Sequence, residues 1–255
     1  SQSTVTIAAA TFDDNTSDGG GGLYFQDATL TLDRASFFDN RATNSGLGGG
    51  GVLCDDADCT VTNSWFEGNT GDFGGGVTLW ARNATNTSVV RASVFCDNGD
   101  SAGTGSGALD SWQSDITVEN NLFVLNQALV GGAIFALDGT TTLVNNDFVA
   151  NRGRFGSAVF VRNTTVDVRN NLFDGNVDET GDTGFAVGTA FALADTGLQN
   201  VVDFDHNAWH DHNNGNSTLF GDNDLIDLDP QLTAGLSGCD MAGLFLDAGS
   251  PLIDA

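Results

Sequence analysis

Lysine is absent, proline occurs twice, glutamate three times and tyrosine once in 255 residues. Without lysine, the cations are eight arginines against 34 acidic residues, 31 of them aspartate, and the net charge is −26. A chain this acidic has no basic face for phosphates, which excludes nucleic acid as a partner. An anionic membrane surface repels it as well. Glutamate, lysine and glutamine are scarce while glycine, asparagine, threonine and aspartate are plentiful, which argues against a helical bundle. No apolar run approaches the ~20 residues that a membrane span needs, so no membrane insertion of this chain is expected. The opening Ser-Gln-Ser-Thr-Val-Thr-Ile lacks the charged start and apolar run of a signal peptide, which reads as a removed signal or an excised chain. What is present is 40% hydrophobic residues, enough to build a core.

The organising feature is an internal repeat. A Phe-x-x-Asn unit recurs at Phe12/Asn15, Phe37/Asn40, Phe66/Asn69, Phe95/Asn98, Phe123/Asn126, Phe148/Asn151 and Phe173/Asn176, with phenylalanine steps of 25, 29, 29, 28, 25 and 25. A small, glycine-rich triplet followed by an apolar residue falls between these units, ending at Leu23, Val52, Val77, Leu109, Ile134, Val159 and Phe191. Insertions are confined to two points of a frame of about 25 residues, as expected for loops on a regular scaffold. Alternating apolar residues seven and five positions before the phenylalanine, such as Leu30/Leu32 and Val166/Val168, predict a strand with one face inward. The residues after the glycines predict a second strand and Phe-x-x-Asn a third. Three short strands per repeat predict an all-β, right-handed parallel β-helix of about eight coils, each stacked ~4.8 Å on the last. Asn15, Asn40, Asn69, Asn98, Asn126, Asn151 and Asn176 are expected to form a hydrogen-bonded ladder at one corner. A second, partial ladder is expected three positions before the phenylalanine, at Asn63, Asn120, Asn145 and Asn170. Trp209 takes the phenylalanine place in an eighth, irregular coil. The β-helix is therefore read over residues 1–213, and 214–255 as a C-terminal cap or extension of the same domain.

The paired markers GGAI at Gly131–Ile134 and FVLN at Phe123–Asn126 resemble the repeats of bacterial polymorphic outer membrane proteins. The resemblance covers about residues 5–215 and implies a secreted, β-helical passenger with a part in adhesion. The glycine unit departs from that pattern at 49–51 and 74–76 (Gly-Gly-Gly), 156–158 (Gly-Ser-Ala) and 188–190 (Gly-Thr-Ala). The tail, Asp-Leu-Asp-Pro at 227–230 and Gly-Ser-Pro-Leu-Ile-Asp at 249–254, resembles the closing segment of secreted bacterial β-helix proteins, where a glycine commonly follows; that suggests a processed chain.

Several residues are candidates for chemistry. Cys54 and Cys59 are expected to form a disulfide, because four intervening residues bring their ends together, while the pairing of Cys96 and Cys239 stays open. Asp13, Asn15 and Asp18 on one tight loop, and Asp222, Asp224 and Asp227 on another, supply short oxygen ligands of the kind that hold Ca²⁺, the one cofactor the sequence suggests. His210 and His212 would share a strand face and could hold zinc or copper, with His206, Asp203 and Asp205 nearby. The bland alternatives are solubilising charge and a polar corner. Polysaccharide cleavage needs paired carboxylates or a cationic base, but the acids cluster in loops and Arg91 and Arg169 project outward. Outward threonines, such as Thr29 and Thr31, are interrupted by Asp58, Arg91 and Asp167, which disfavours a flat crystal-binding array.

The sequence therefore predicts a non-enzymatic extracellular or cell-surface module. It would be structural or adhesive, presenting acidic loops to a surface glycan, another protein or further copies of itself. Alternatives are a filament subunit stacking end to end, since the chain enters a strand by Val5 without an evident cap, and a polysaccharide-cleaving enzyme.

Overall fold

The computed structural model describes residues 3–44, 46–83, 86–100, 105–177, 191–194, 201–210, 221, 223–226, 228–232, 238–239 and 250. Among them every ladder is parallel and the coils wind as a right-handed solenoid. Three sheets, of 13, nine and six strands, run along it.

Each coil starts at the strand before the phenylalanine. Thr29–Asp33 is representative: Leu30 and Leu32 are buried while Thr29 and Thr31, alternating with them, are half-buried. The chain then turns and forms a three-residue strand centred on the phenylalanine, as at Ser36–Phe38. The repeat pattern predicts no strand between this one and the glycines, but the structure adds another. Past the phenylalanine the backbone turns through a left-handed residue (Asp14, Asp39, Gly68, Asp97, Leu125, Ala150, Gly175). It buries the asparagine in every coil after the first and enters a further strand, two residues long at Arg41–Ala42 and four at Arg152–Phe155. Two-residue strands carry no alternation, so their pattern is invisible in the sequence. The post-glycine strand, such as Val52–Asp55, closes the coil. In Ile134–Val144 and Val159–Arg169 this strand runs straight on into the next pre-phenylalanine strand, which joins both rows into one sheet.

The core is a set of columns. Phe12, Phe37, Phe66, Phe95, Phe123, Phe148, Phe173 and Trp209 stack ring on ring, with centroids 4.6, 4.8, 4.7, 4.9, 5.0, 4.8 and 4.2 Å apart. Burial of each ring contributes about 1.5–3 kcal/mol relative to exposure, and a coil alone could not provide it. Beside them runs the asparagine ladder. Asn98, for example, accepts at Oδ1 from the amide N–H and Nδ2 of Asn69, and its own Nδ2 donates to Phe66 O and Asn126 Oδ1. The same bonds link all seven asparagines from Asn15 to Asn176.

The second ladder lies one residue away from its expected position. Asn63, Asn120, Asn145 and Asn170 all have φ between 52° and 56°: they are the left-handed corner, a conformation asparagine tolerates. The inward residue follows them. Asn121, Asn146, Asn171 and Asn207 donate from Nδ2 to the next residue's Oδ1, and the run ends on Asp224. Two adjacent asparagines in several repeats made the assignment ambiguous, and the corner's positive φ decides it.

The glycine triplets are needed where coils touch backbone to backbone. A Cβ on Gly75 would lie 2.5 Å from Gly107 O and 2.6 Å from Gly99 O, so no side chain fits.

Both cysteine pairs are disulfides. Cys54–Cys59 lies inside the core, and Cys96–Cys239 spans 143 residues. The latter pins the C-terminal segment over the outer face of the nine-stranded sheet. There Cys96, Val124 and Val149 form a separate apolar cluster together with Leu232 and Cys239. Ile226 pairs with Trp209 as a further rung, so this part of the expected cap continues the solenoid.

Candidate functional site

The ion-binding candidates are dispersed. Asn15 gives its amide N–H and Nδ2 to Asn40 Oδ1 at 3.2 and 2.8 Å, so its carboxamide serves the ladder instead of a loop with Asp13 and Asp18. Asp13 is exposed on the outside of the nine-stranded sheet and Asp18 is exposed in the following loop. Asp224 closes the second ladder. Its Oδ1 accepts the amide N–H of Asn207 at 2.7 Å and its Oδ2 accepts Trp209 Nε1 at 2.9 Å and Gly221 N at 3.0 Å. Those donors fill the positions a calcium ion would need. His210 Nδ1 lies 2.7 Å from Asp174 Oδ1 in the adjacent coil. Asp222, Asp227 and His212 lie outside the described residues. Among the described residues no three His, Cys, Asp or Glu side chains converge on one point.

The acidic segment Asp55–Asp58 is occupied by neighbours in a similar way. Asp56 Oδ1 accepts the amide N–H groups of Arg82 at 2.6 Å and Asn83 at 2.9 Å. Burial opposes the charge on Asp56, but these backbone donors outweigh it and its carboxyl is held below the usual range. Asp58 Oδ1 accepts the amide N–H of Thr87 at 2.9 Å.

A coherent surface instead emerges on the outer face of the post-glycine strands. Counting from the apolar marker, the first and third residues beyond it point outward, and parallel register aligns them from coil to coil. Tyr24, Asp55, Trp80, Trp112, Phe135 and Phe160 thus form a continuous outer shelf. Tyr24 Oη donates to Asp55 Oδ2 at 2.9 Å, and Arg82 Nε meets Asp55 Oδ1 at 2.9 Å. The Arg82 guanidinium stacks 4.0 Å above the Trp80 ring. From there aromatic contact continues, Trp80 to Trp112 at 5.8 Å, Trp112 to Phe135 at 5.2 Å and Phe135 to Phe160 at 5.6 Å. Phe73, from the preceding turn, packs edge-on against both tryptophans. Trp80, Trp112 and Phe160 are half-buried and Tyr24 is exposed, so parts of the rings face solvent.

Two ionisations fix the shelf's polarity. Partial desolvation, with the Asp55 hydrogen bond and charge, pushes the Tyr24 phenol up to about 12, so it donates at all ordinary pH values. Asp110, also outward on this face but sealed beneath it, is pushed up to about 7 by burial, although Ser106 N and Trp112 Nε1 donate to its carboxylate at 2.6 and 3.2 Å. It anchors Trp112 and the turn above.

None of the shelf residues stands out in the sequence, where inward periodicity is the readable signal. The outward positions have no periodicity of their own. A second concavity lies across the molecule, on the nine-stranded sheet, lined by Asp147, Asn170, Asn171, Leu172, His206, Ala208, Asn223 and Leu225.

A family model described as a right handed beta helix region matches residues 1–173. No curated protein matches the chain.

Proposed function

The chain belongs to the right-handed β-helix family, and from that premise we propose that it is a non-enzymatic, extracellular or cell-surface module whose outer shelf meets a surface glycan. The carrying observation is the row of Asp55, Trp80 and Trp112, stacked in register along the solenoid axis, with Tyr24 and Arg82 closing on Asp55 at one end. Rungs ~4.8 Å apart approximate the length of one pyranose unit, so an extended glycan lying along the axis would meet an equivalent position in each coil. Sugar rings present apolar faces to aromatic side chains and hydroxyls to guanidinium and phenol groups, while the buried Asp55 holds Tyr24 and Arg82 in place. The net charge of −26 favours a neutral glycan over a polyanion.

The placement of the carboxyls favours binding over cleavage. Glycoside hydrolysis needs two carboxyl groups facing one bond across several ångströms. Among the described residues the two carboxyls pushed furthest up, Asp110 and Asp147, lie on different sheets, and Asp110 is fully buried. The test is retention on neutral polysaccharide columns or gels, together with product analysis. The wild type should be retained without releasing sugar, and Trp80→Ala together with Trp112→Ala should weaken binding at least tenfold. Undiminished binding by the double variant would remove the shelf from the account, and released oligosaccharide would replace it with an enzyme.

A further inference from the structure

The concavity on the nine-stranded sheet is a cavity of about 320 Å³. Its floor is apolar: Leu172 and Ala208 are buried and Leu225 is half-buried. These residues belong to one outward column, the position immediately before each core aromatic and, in the last rung, before Ile226. In register the column reads Val94, Leu122, Asp147, Leu172, Ala208 and Leu225. One carboxylate thus interrupts an aliphatic row.

Asp147 differs from the acids around it. Asp174 is held by His210. Asp205 is held by Asn223 and His206. Asp224 is held by Asn207, Trp209 and Gly221. Among the described residues no group donates to or pairs with the Asp147 carboxylate, and enclosure alone sets its ionisation, pushing it up to about 6. Asp147 itself is exposed and stands beside the apolar floor of the cavity.

We infer that this cavity binds a primary alkylammonium group, with the nitrogen on the Asp147 carboxylate and the methylenes over Leu172, Ala208 and Leu225. An ammonium is the counter-charge the carboxylate lacks, and its three N–H donors suit the carboxamide oxygens of Asn170 and Asn223, which also line the cavity. Such a cation cannot come from a lysine of this chain, which has none. A divalent metal is a poorer occupant, since one free carboxylate and two carboxamides do not supply the charge it needs. The overall acidity draws organic cations toward the surface. The proposal stands apart from the glycan shelf, which lies on another sheet, and each can fail without the other.

The test is a titration of the Asp147 carboxyl by NMR in the full chain, alone and with n-butylammonium or Nα-acetyl-lysine-N-methylamide. Because only the ionised acid binds, saturating ligand should lower the Asp147 pKa by about one unit or more. Affinity should rise about tenfold from pH 5 to pH 7.5. Asp147→Asn should weaken binding at least tenfold while its amide spectrum and melting point stay near wild type. Leu172→Ala should weaken n-butylammonium and leave methylammonium unaffected. Binding of the lysine amide alone assigns the site to a partner protein's lysine, and binding of the free amine alone to a small-molecule amine. An unmoved Asp147 pKa with both ligands, or equal binding by Asp147→Asn, overturns the proposal.

Discussion

Asp110 shows how much the context of a single residue decides. It occupies an outward strand position, where an aspartate would ordinarily be solvated, yet it is 0% exposed because Trp112 and the turn at Gly105–Ser106 close over it. Its carboxyl titrates near 7 because burial penalises the charge more than its two donors relieve it. The folded state therefore holds a proton that the unfolded chain, with an ordinary aspartate value near 3.9, releases. Between those values the native state binds more protons, so stability falls as pH rises from about 4 to about 7. General charge repulsion acts in the same direction, and the comparison with Asp110→Asn separates the two. Denaturant melts at intervals from pH 4.5 to 8 should show the variant's slope shallower by about 1 kcal/mol per pH unit. Parallel wild-type and variant profiles would mean that the folded protein does not retain a proton on Asp110.

At the scale of the element, the glycine corner is the most constrained part of a coil. The post-glycine strand can begin only where adjacent backbones come within reach of each other, and the middle glycine allows this approach. In Gly75→Ala the new methyl would meet the carbonyl oxygens of Gly107 and Gly99 at 2.5 and 2.6 Å. Neither can retreat without breaking ladder bonds such as that from Val77 N to Ala108 O. The expected loss is about 2–4 kcal/mol by thermal or chemical denaturation. Gly175→Ala is the matched control: its φ is +60° but nothing lies within 4 Å of the added methyl, so only left-handed strain of about 1 kcal/mol is expected. Equal effects would show that close approach is not what selects glycine at the corner.

Across the whole molecule, a stack of coils has few contacts linking distant rungs, since each coil touches chiefly its neighbours. Among the described residues Cys96–Cys239 is the exception. It ties the fourth phenylalanine rung to the C-terminal segment across 143 residues and holds Leu232 over Val124 and Val149. Closing so long a loop restrains the unfolded chain far more than closing the five-residue separation of Cys54–Cys59. Loss of the long disulfide in Cys96→Ser/Cys239→Ser should cost about 3–5 kcal/mol, more than loss of the short one through Cys54→Ser/Cys59→Ser. Calorimetry of the two double variants decides the order. The reverse ranking would mean that core packing around Cys54 and Cys59 outweighs chain entropy.

The repeat was legible because its requirements are local and nearly identical in every coil. The phenylalanine fills one inward slot, the asparagine three residues later bonds its counterparts, and alternation marks the strand before them. Those features fixed an all-β parallel solenoid and placed Trp209 in the aromatic column. Where two asparagines stand side by side the sequence does not distinguish them, because only backbone torsion makes Asn120 the corner and Asn121 the rung. Asp224, expected in a calcium loop, instead ends the asparagine ladder under Trp209. What tertiary structure alone decided are the relations between outward residues on different coils: Tyr24 with Asp55 and Arg82, Trp80 with Trp112, Cys96 with Cys239, and Asp147 above Leu172. Inward positions repeat because every coil must fill the same core. Outward positions are free to differ, and their partners are set by register and by loops of varying length, which no single stretch of sequence encodes.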